Sequence, residues 1–120
     1  MAAKSNSNKE ILILSSPAKG QPEQIRLDYN ILRKAVLTLR AINHPLRREM
    51  VQLLEEKKKL AVTDIYVKLR IEQSVASQHL AILRKADLLQ TERDGKYIYY
   101  TINKTRFAEV VDLIQELAAV

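Results

Sequence analysis

QSVASQHLAIL, residues 73–83, superposes two patterns that seldom coincide. Ala76, Leu80 and Leu83 fall at i, i+4 and i+7, one apolar stripe of a helix. Gln73, Ser74, Ser77 and Gln78 fall elsewhere on the same helix, near its N-terminal end. These side chains are uncharged hydrogen-bonding groups of little bulk. A helix whose first two turns offer such groups can be set end-first against the edges of base pairs. The stretch therefore predicts a reading helix: one face anchored in a core, the other chemically suited to a polar surface.

The sequence on either side fits that role. Upstream, residues 63–69 make a short helix with Ile65 and Leu69 inward and Thr63 as its expected cap. Only Arg70, Ile71 and Glu72 separate it from the reading helix. Two short helices joined by such a turn form a helix-turn-helix pattern. Before them, Pro45 suits the first position of a helix over residues 45–56, with Met50, Val51, Leu53 and Leu54 inward and His44 at its cap. Lys57, Lys58 and Lys59 read as a solvated connection. Residues 23–42 read as a still earlier helix. Its apolar positions, Leu32, Ala35, Val36, Leu39 and Ile42 with Leu27, Ile31 and Leu37 beside them, exceed the stripe of about 100° that a monomer's surface helix needs.

Downstream, the period changes. Asp94-Gly95 lies between strand-like runs, a strong signal for a two-residue hairpin turn. Ile98, Tyr100 and Ile102 alternate with Tyr97, Tyr99 and Thr101, so the first set should pack inward and the second face out, beside Arg93 and Lys96. Asn103 can cap a last helix over residues 104–119, where Phe107, Val110, Val111, Ile114 and Leu117 form a continuous stripe. Three helices and a hairpin already fill so small a core. The stripe, together with Leu32, Val36 and Leu39 of the first helix, is therefore expected at a homodimer seam; the alternative is that both terminal helices cap the core of a monomer.

Composition bounds the rest. The chain has 120 residues, 47% apolar, with only 2 Gly and 3 Pro, the profile of one mostly helical domain. Residues 1–22, rich in Ser, Asn, Lys and Gly, are expected to be a mobile arm. Within it, Ile11, Leu12, Ile13 and Leu14 could make a short strand or an apolar sticky spot. Residues 23–120 are expected to form the DNA-binding and dimerisation domain. Without cysteine there is neither disulfide nor thiolate chemistry. No run approaches the roughly 20 apolar residues of a membrane span, and the N-terminus lacks a signal-peptide pattern, so a cytoplasmic protein is expected. A formal charge of +6 makes a polyanion a plausible partner. Ser74 and Ser77 lack a Gly-x-Ser-x-Gly elbow and no Cys or His cluster exists, so no enzyme is expected.

The order is helix, helix, helix-turn-helix, hairpin, helix: mainly α with a small β-hairpin, a winged helix-turn-helix (α-α-α-α-β-β-α). LRIEQSVASQHLAILRKADLLQTERDGKYIYYTI, beginning at Leu69, resembles the ArsR-type winged-helix repressors of bacteria and archaea. Ser74, Ser77, His79, Leu80 and Leu83 carry the match, followed by Ala86, Leu88, Leu89, Gly95, Tyr99 and Tyr100. Upstream, LRAINHPLRREMVQLL, residues 39–54, looks like the family's second signature, with Pro45, Arg47, Leu53 and Leu54 in place. The resemblance implies a homodimer that binds a palindromic operator in double-stranded DNA and usually represses. The residues expected to meet DNA are Gln73, Ser74, Ser77, Gln78 and His79 on the reading helix, and Arg93 and Lys96 on the wing. The alternative is a winged helix used as a protein-interaction module.

Three departures from the family pattern bear on function. Glu72 stands where a short capping side chain is expected before the reading helix, and Asp87 where Gly usually ends it. Metal-sensing members carry cysteines near the third helix or Asp and His on the last. Here Ala61, Val62, Thr63 and Asp64 occupy the first place, and the last helix offers Glu109, Asp112 and Glu116 without His. Soft and borderline metals want thiolate or imidazole, so no metal and no other cofactor is expected, and the effector is unknown. The charge is also uneven. Between Arg70 and Lys96 five Lys/Arg face four Asp/Glu, whereas residues 31–60 hold eight against three. Attraction to phosphate must come partly from outside the reading head.

Overall fold

In a computed structural model, residues 10–15, 20 and 24–119 are described. They fall into two compact units, divided between Leu39 and Arg40.

In the first unit, β1 (Ile11–Ser15) pairs antiparallel with β2 (Gln24–Asp28), in a register that sets Ile11 opposite Asp28 and Ser15 opposite Gln24. Helix α1 (Tyr29–Ile42) follows directly, and its last three residues, from Arg40 on, belong to the second unit. The expected first helix is thus too long at its start: residues 24–28 are strand, because Ile11 to Leu14 supply an antiparallel partner that the helical reading ignored. Asp28 sets the new boundary, its carboxylate accepting the Asn30 N–H at 2.9 Å in the manner of a cap. Of the expected mobile arm, residues 1–9, 16–19 and 21–22 lie outside the described residues.

The second unit builds the reading head. Helix α2 (Pro45–Lys57) is opened by Pro45 and capped by His44, whose Nδ1 accepts the Leu46 N–H at 3.1 Å. A two-residue strand β3 (Leu60–Ala61) leads into α3 (Val62–Leu69), then α4 (Gln73–Lys85). The hairpin β4 (Leu89–Asp94) and β5 (Tyr97–Ile102) follows, then α5 (Lys104–Leu117). The sheet order is β3-β5-β4, with Leu60 opposite Tyr100 and Ala61 opposite Tyr99. Strand β3 has no counterpart in the sequence reading, because two residues carry no period. Its existence depends on an edge offered by β5.

The core is the stripe first read from the sequence. Ala76, Leu80 and Leu83 of α4 are fully buried, with Met50 and Leu54 of α2, Ile65 of α3, and Leu88 and Leu89 entering β4. Helix α4 packs against α2, α3 and β4. Cutting Leu80 or Leu83 back to alanine at such a site costs about 2–5 kcal/mol.

Two helix ends among the described residues are Schellman motifs, one before and one after α4. After α3, Ile71 N–H bonds to Tyr66 C=O and Arg70 N–H to Val67 C=O, with Arg70 at φ 57°. After α4, Leu88 N–H bonds to Leu83 C=O at 3.0 Å and Asp87 N–H to Arg84 C=O at 2.9 Å, with Asp87 at φ 62°. Asp87 therefore adopts the left-handed conformation expected of it, at a cost of about 1 kcal/mol relative to glycine. Leu83 and Leu88, which the motif brings together, are both fully buried.

Two local expectations are corrected. Thr63 does not cap α3: the cap position is Ala61, without a side-chain bond, because the chain enters the helix straight from β3. The hairpin turn is also shifted by one residue. Asp94 pairs with Tyr97, so Gly95 and Lys96 are the central residues, and only Gly95 (φ 65°) is left-handed. A positive φ at the first central residue alone is the pattern of a type II′ turn, which needs Gly there. Asp94 is thereby released to close the strand. The inward set is corrected too: Ile98, near the tip, is 46% exposed, while Tyr99 is half-buried, because the small sheet covers only its base.

Candidate nucleic-acid interface

The four polar residues at the start of α4 are all exposed. Gln73 and Ser74 occupy its first two positions, and Ser77 and Gln78 its second turn, while Ala76 and Leu80 between them are sealed in the core. Burial thus fixes the helix's rotation, and the rotation leaves amide and hydroxyl groups facing outward. Glu72 takes the cap position without any side-chain bond. A short capping oxygen would occupy the first free N–H groups, and Glu72 leaves them to water or an external acceptor.

His79 differs from its neighbours. It is half-buried, and its Nδ1 lies 2.9 Å from Nη1 of Arg47. Arg47 is itself only 8% exposed. Its Nε donates to Ala41 C=O at 2.7 Å and its Nη2 to Arg40 C=O at 2.9 Å, two carbonyls of the last turn of α1. The guanidinium thus satisfies carbonyls that a helix end leaves without partners. The His44 ring lies 4.8 Å from that of His79, centroid to centroid, tilted by 40°. Burial first, then the electrostatic influence of His44 and of Arg47, holds His79 below the ordinary imidazole range. His79 is therefore neutral near pH 7.

In the sequence Arg47 stands out only as a match to the family pattern. One signal was available: Arg47 stands in the first turn of α2, where the helix dipole opposes a cation. A cation placed there against the dipole has a partner elsewhere.

On the hairpin, Arg93 and Lys96 are exposed at the tip. The ammonium of Lys96 lies 5.6 Å from the Tyr97 ring, and Tyr97 and Tyr99 share a face with ring centroids 6.4 Å apart. Lys59 sits 5.2 Å from the Tyr99 ring and 3.0 Å from a Glu92 carboxylate oxygen. Its pKa is raised by that carboxylate, through a hydrogen bond first and charge second. The sequence pattern alone makes Lys59 part of a solvated connection. Pairing of Ala61 with Tyr99 instead brings it onto the wing, a placement that only the sheet register determines. Its charge there is largely balanced by Glu92.

Glu109, Asp112 and Glu116 of α5 are exposed. Among the described residues no three His, Cys, Asp or Glu side chains gather as a metal site would require. No helix among them is long and apolar enough to cross a membrane.

Comparison with known proteins agrees with this geometry. Residues 44–91 match the family model described as bacterial regulatory protein, arsR family. The chain is 33% identical over 92 residues to the transcriptional repressor PagR of Bacillus anthracis, spanning 77% of this chain and 92% of PagR. It is 29% identical over 99 residues to the transcriptional activator HlyU of Vibrio cholerae, spanning 82% and 91%. The crystal structure of PagR superposes with a TM-score of 0.58 at 34% identity, over 72% of this chain and 99% of that one. The helix-turn-helix, the wing and these relatives together identify the chain as a DNA-binding transcriptional regulator that belongs to the arsR family of bacterial regulatory proteins.

Proposed function

We propose that the protein is a homodimeric repressor that binds a palindromic operator, reading bases with α4 and holding the backbone with the wing. The observation that carries the reading is the outward set Gln73, Ser74, Ser77 and Gln78 on a helix whose opposite face is locked in the core. Gln78 pairs with an adenine edge, to which an amide can offer both a donor and an acceptor. Ser74 and Ser77 each hold a phosphate or base through one bond. Arg93 and Lys96 reach the sugar-phosphate backbone, which positions the protein without reading sequence.

The dimer is supported by apolar surface that stays exposed among the described residues. Leu32 of α1 is 40% exposed, and Val111 and Leu117 of α5 are 41% and 70% exposed. Val36, Leu39, Phe107 and Ile114 are half-buried, while Val110 is already buried within the chain. Phe107 also lines an open cleft of about 550 Å³ with Ile42, Val51 and Ile102. A second copy laid along α5 would cover both the stripe and the cleft. Two such copies present two reading helices related by a two-fold axis, which is what a palindromic site requires.

Fluorescence polarisation with duplexes from upstream of the protein's own gene tests the reading. Nanomolar binding to one duplex, at least a hundredfold tighter than to scrambled DNA at physiological salt, is the expected result. Equal weak binding to every duplex would favour a protein-interaction module, a use to which the nearly neutral reading head is also suited.

A further inference from the structure

We propose that Arg47 is a positioning residue for DNA binding: it fixes His79 in the tautomer whose proton is on Nε2, giving α4 a preset N–H donor for a phosphate oxygen. The proposal rests on the DNA-binding reading and adds a role for a residue buried beneath the interface.

The argument begins with what a guanidinium can do. Arginine has five N–H donors and no acceptor, and it stays charged at any physiological pH. The 2.9 Å contact between Arg47 Nη1 and His79 Nδ1 therefore has one polarity: Arg47 donates and Nδ1 accepts. A neutral imidazole carries a single proton. With Nδ1 accepting, that proton is on Nε2. Arg47 is not free to yield, since its Nε and Nη2 are held by the Ala41 and Arg40 carbonyls and the side chain is buried. A planar group pinned at two nitrogens aims the third.

The remaining groups around His79 reinforce the arrangement. His44 lies against its ring and is itself engaged through Nδ1 with the Leu46 N–H. Among the described residues, Arg47 and His44 are the charged or titratable groups that act on the imidazole; Arg47 has no acceptor, and the Nδ1 of His44 is taken by the Leu46 N–H. Nε2 of His79 makes no hydrogen bond among the described residues, and it is not among the buried polar atoms left without a partner. It therefore reaches solvent. It does so from the residue next to Gln78 and two beyond Ser77.

An N–H fixed in this way needs no tautomer shift on binding, whereas a free imidazole would divide its proton between two nitrogens. The contact would go to phosphate and be indifferent to sequence. Arg47 would thus tie the end of α1 and the start of α2 to the backbone grip of α4, through side chains that never reach DNA.

Long-range nitrogen–proton spectroscopy of the imidazoles in the free, full-length protein at pH 7.5 tests the first half. A single Nε2–H tautomer for His79 is expected, and a Nδ1–H form or an even mixture overturns the proposal. The second half is tested with a random-sequence duplex at low salt. Arg47→Met is expected to populate the Nδ1–H form and, by about halving the fraction of His79 that carries its proton on Nε2, to weaken binding about twofold. His79→Gln keeps an N–H at the position of Nε2 without a tautomer to choose. Whatever affinity His79→Gln itself shows, adding Arg47→Met to it should cost little more. If Arg47→Met weakens both backgrounds equally, Arg47 is a structural strut only and the proposal fails. If Arg47→Met does not fold, Arg47→Lys, which keeps the charge but not the two-carbonyl grip, takes its place in the same cycle. Failure of the natural protein to bind any duplex would instead defeat the DNA reading itself, with the tautomer result standing apart.

Discussion

Asn103 Nδ2 donates to the carbonyl oxygen of Asp87 at 3.1 Å, joining the cap of α5 to the left-handed residue that ends the reading helix. Asn103 Oδ1 accepts the Arg106 N–H at 3.2 Å and its own N–H bonds to Leu88 C=O at 2.9 Å. One side chain thus starts the last helix and secures the exit of α4. Asn103→Ala should lower stability by about 1 kcal/mol or somewhat more, since both the cap and the bridge are lost. Asp87→Gly should raise it by about 0.5–1 kcal/mol, by removing the left-handed strain. Urea unfolding of both variants measures this, and a destabilised Asp87→Gly would show that the carboxylate has a role that the backbone geometry does not require.

Base reading and backbone holding are separable by mutation. Gln78→Ala should cost about 1–3 kcal/mol on the operator and little on random DNA. Lys96→Ala should weaken both to a similar degree and lower the slope of affinity against salt by about one. Equal losses on both duplexes for Gln78→Ala would move specificity to Gln73, Ser74, Ser77 or the shape of the DNA.

Assembly depends on the α5 stripe. Ile114→Glu would bury a charge without a partner at the proposed seam, at a cost of several kcal/mol. Sedimentation equilibrium should find a dimer for the natural protein at micromolar concentration and a monomer for the variant. A natural protein that already sediments as a monomer contradicts the proposed assembly.

Stability should fall below neutral pH through His79. In the unfolded chain its imidazole takes up a proton near pH 6.5; in the folded chain burial, His44 and Arg47 delay that step to lower pH. The unfolded state therefore binds more protons in between, and the contribution is lost as pH falls from about 6.5 through the folded pKa. Urea midpoints of the natural protein should decline over that interval, and those of His79→Gln should decline less. Glu55, whose pKa is lowered by Lys104 through a hydrogen bond and charge, acts only below about 4.5, well under the pH at which the His79 contribution begins to fall. A flat profile between pH 7 and 5 would argue against a buried neutral His79.

Zinc should leave DNA binding unchanged. The place where related sensors carry cysteines holds Ala61, Val62, Thr63 and Asp64, and α5 carries carboxylates without imidazole. Calorimetry showing micromolar zinc affinity, coupled to release of DNA, would contradict this and point to ligands of a different kind.

The sequence by itself determined the rotation of α4. Helical period places Ala76, Leu80 and Leu83 on one stripe, and that period is a local property which burial only confirms. The caps His44 and Asn103 and the left-handed Asp87 were legible for the same reason, since each depends on residues within a few positions along the chain. What only the tertiary structure decided are the features made by residues far apart. Strand β2 replaces the start of the expected helix because β1 pairs with it, and β3 exists because β5 offers an edge. The shift of the wing turn to Gly95 and Lys96 follows from the pairing register of Asp94 with Tyr97, not from the Asp-Gly pair alone. Arg47 and His79 are 32 residues apart, and nothing in the intervening chain encodes their contact. Local periodicity and turn chemistry are written residue by residue. A buried cation becomes intelligible only when the carbonyls of one helix and the imidazole of another close around it.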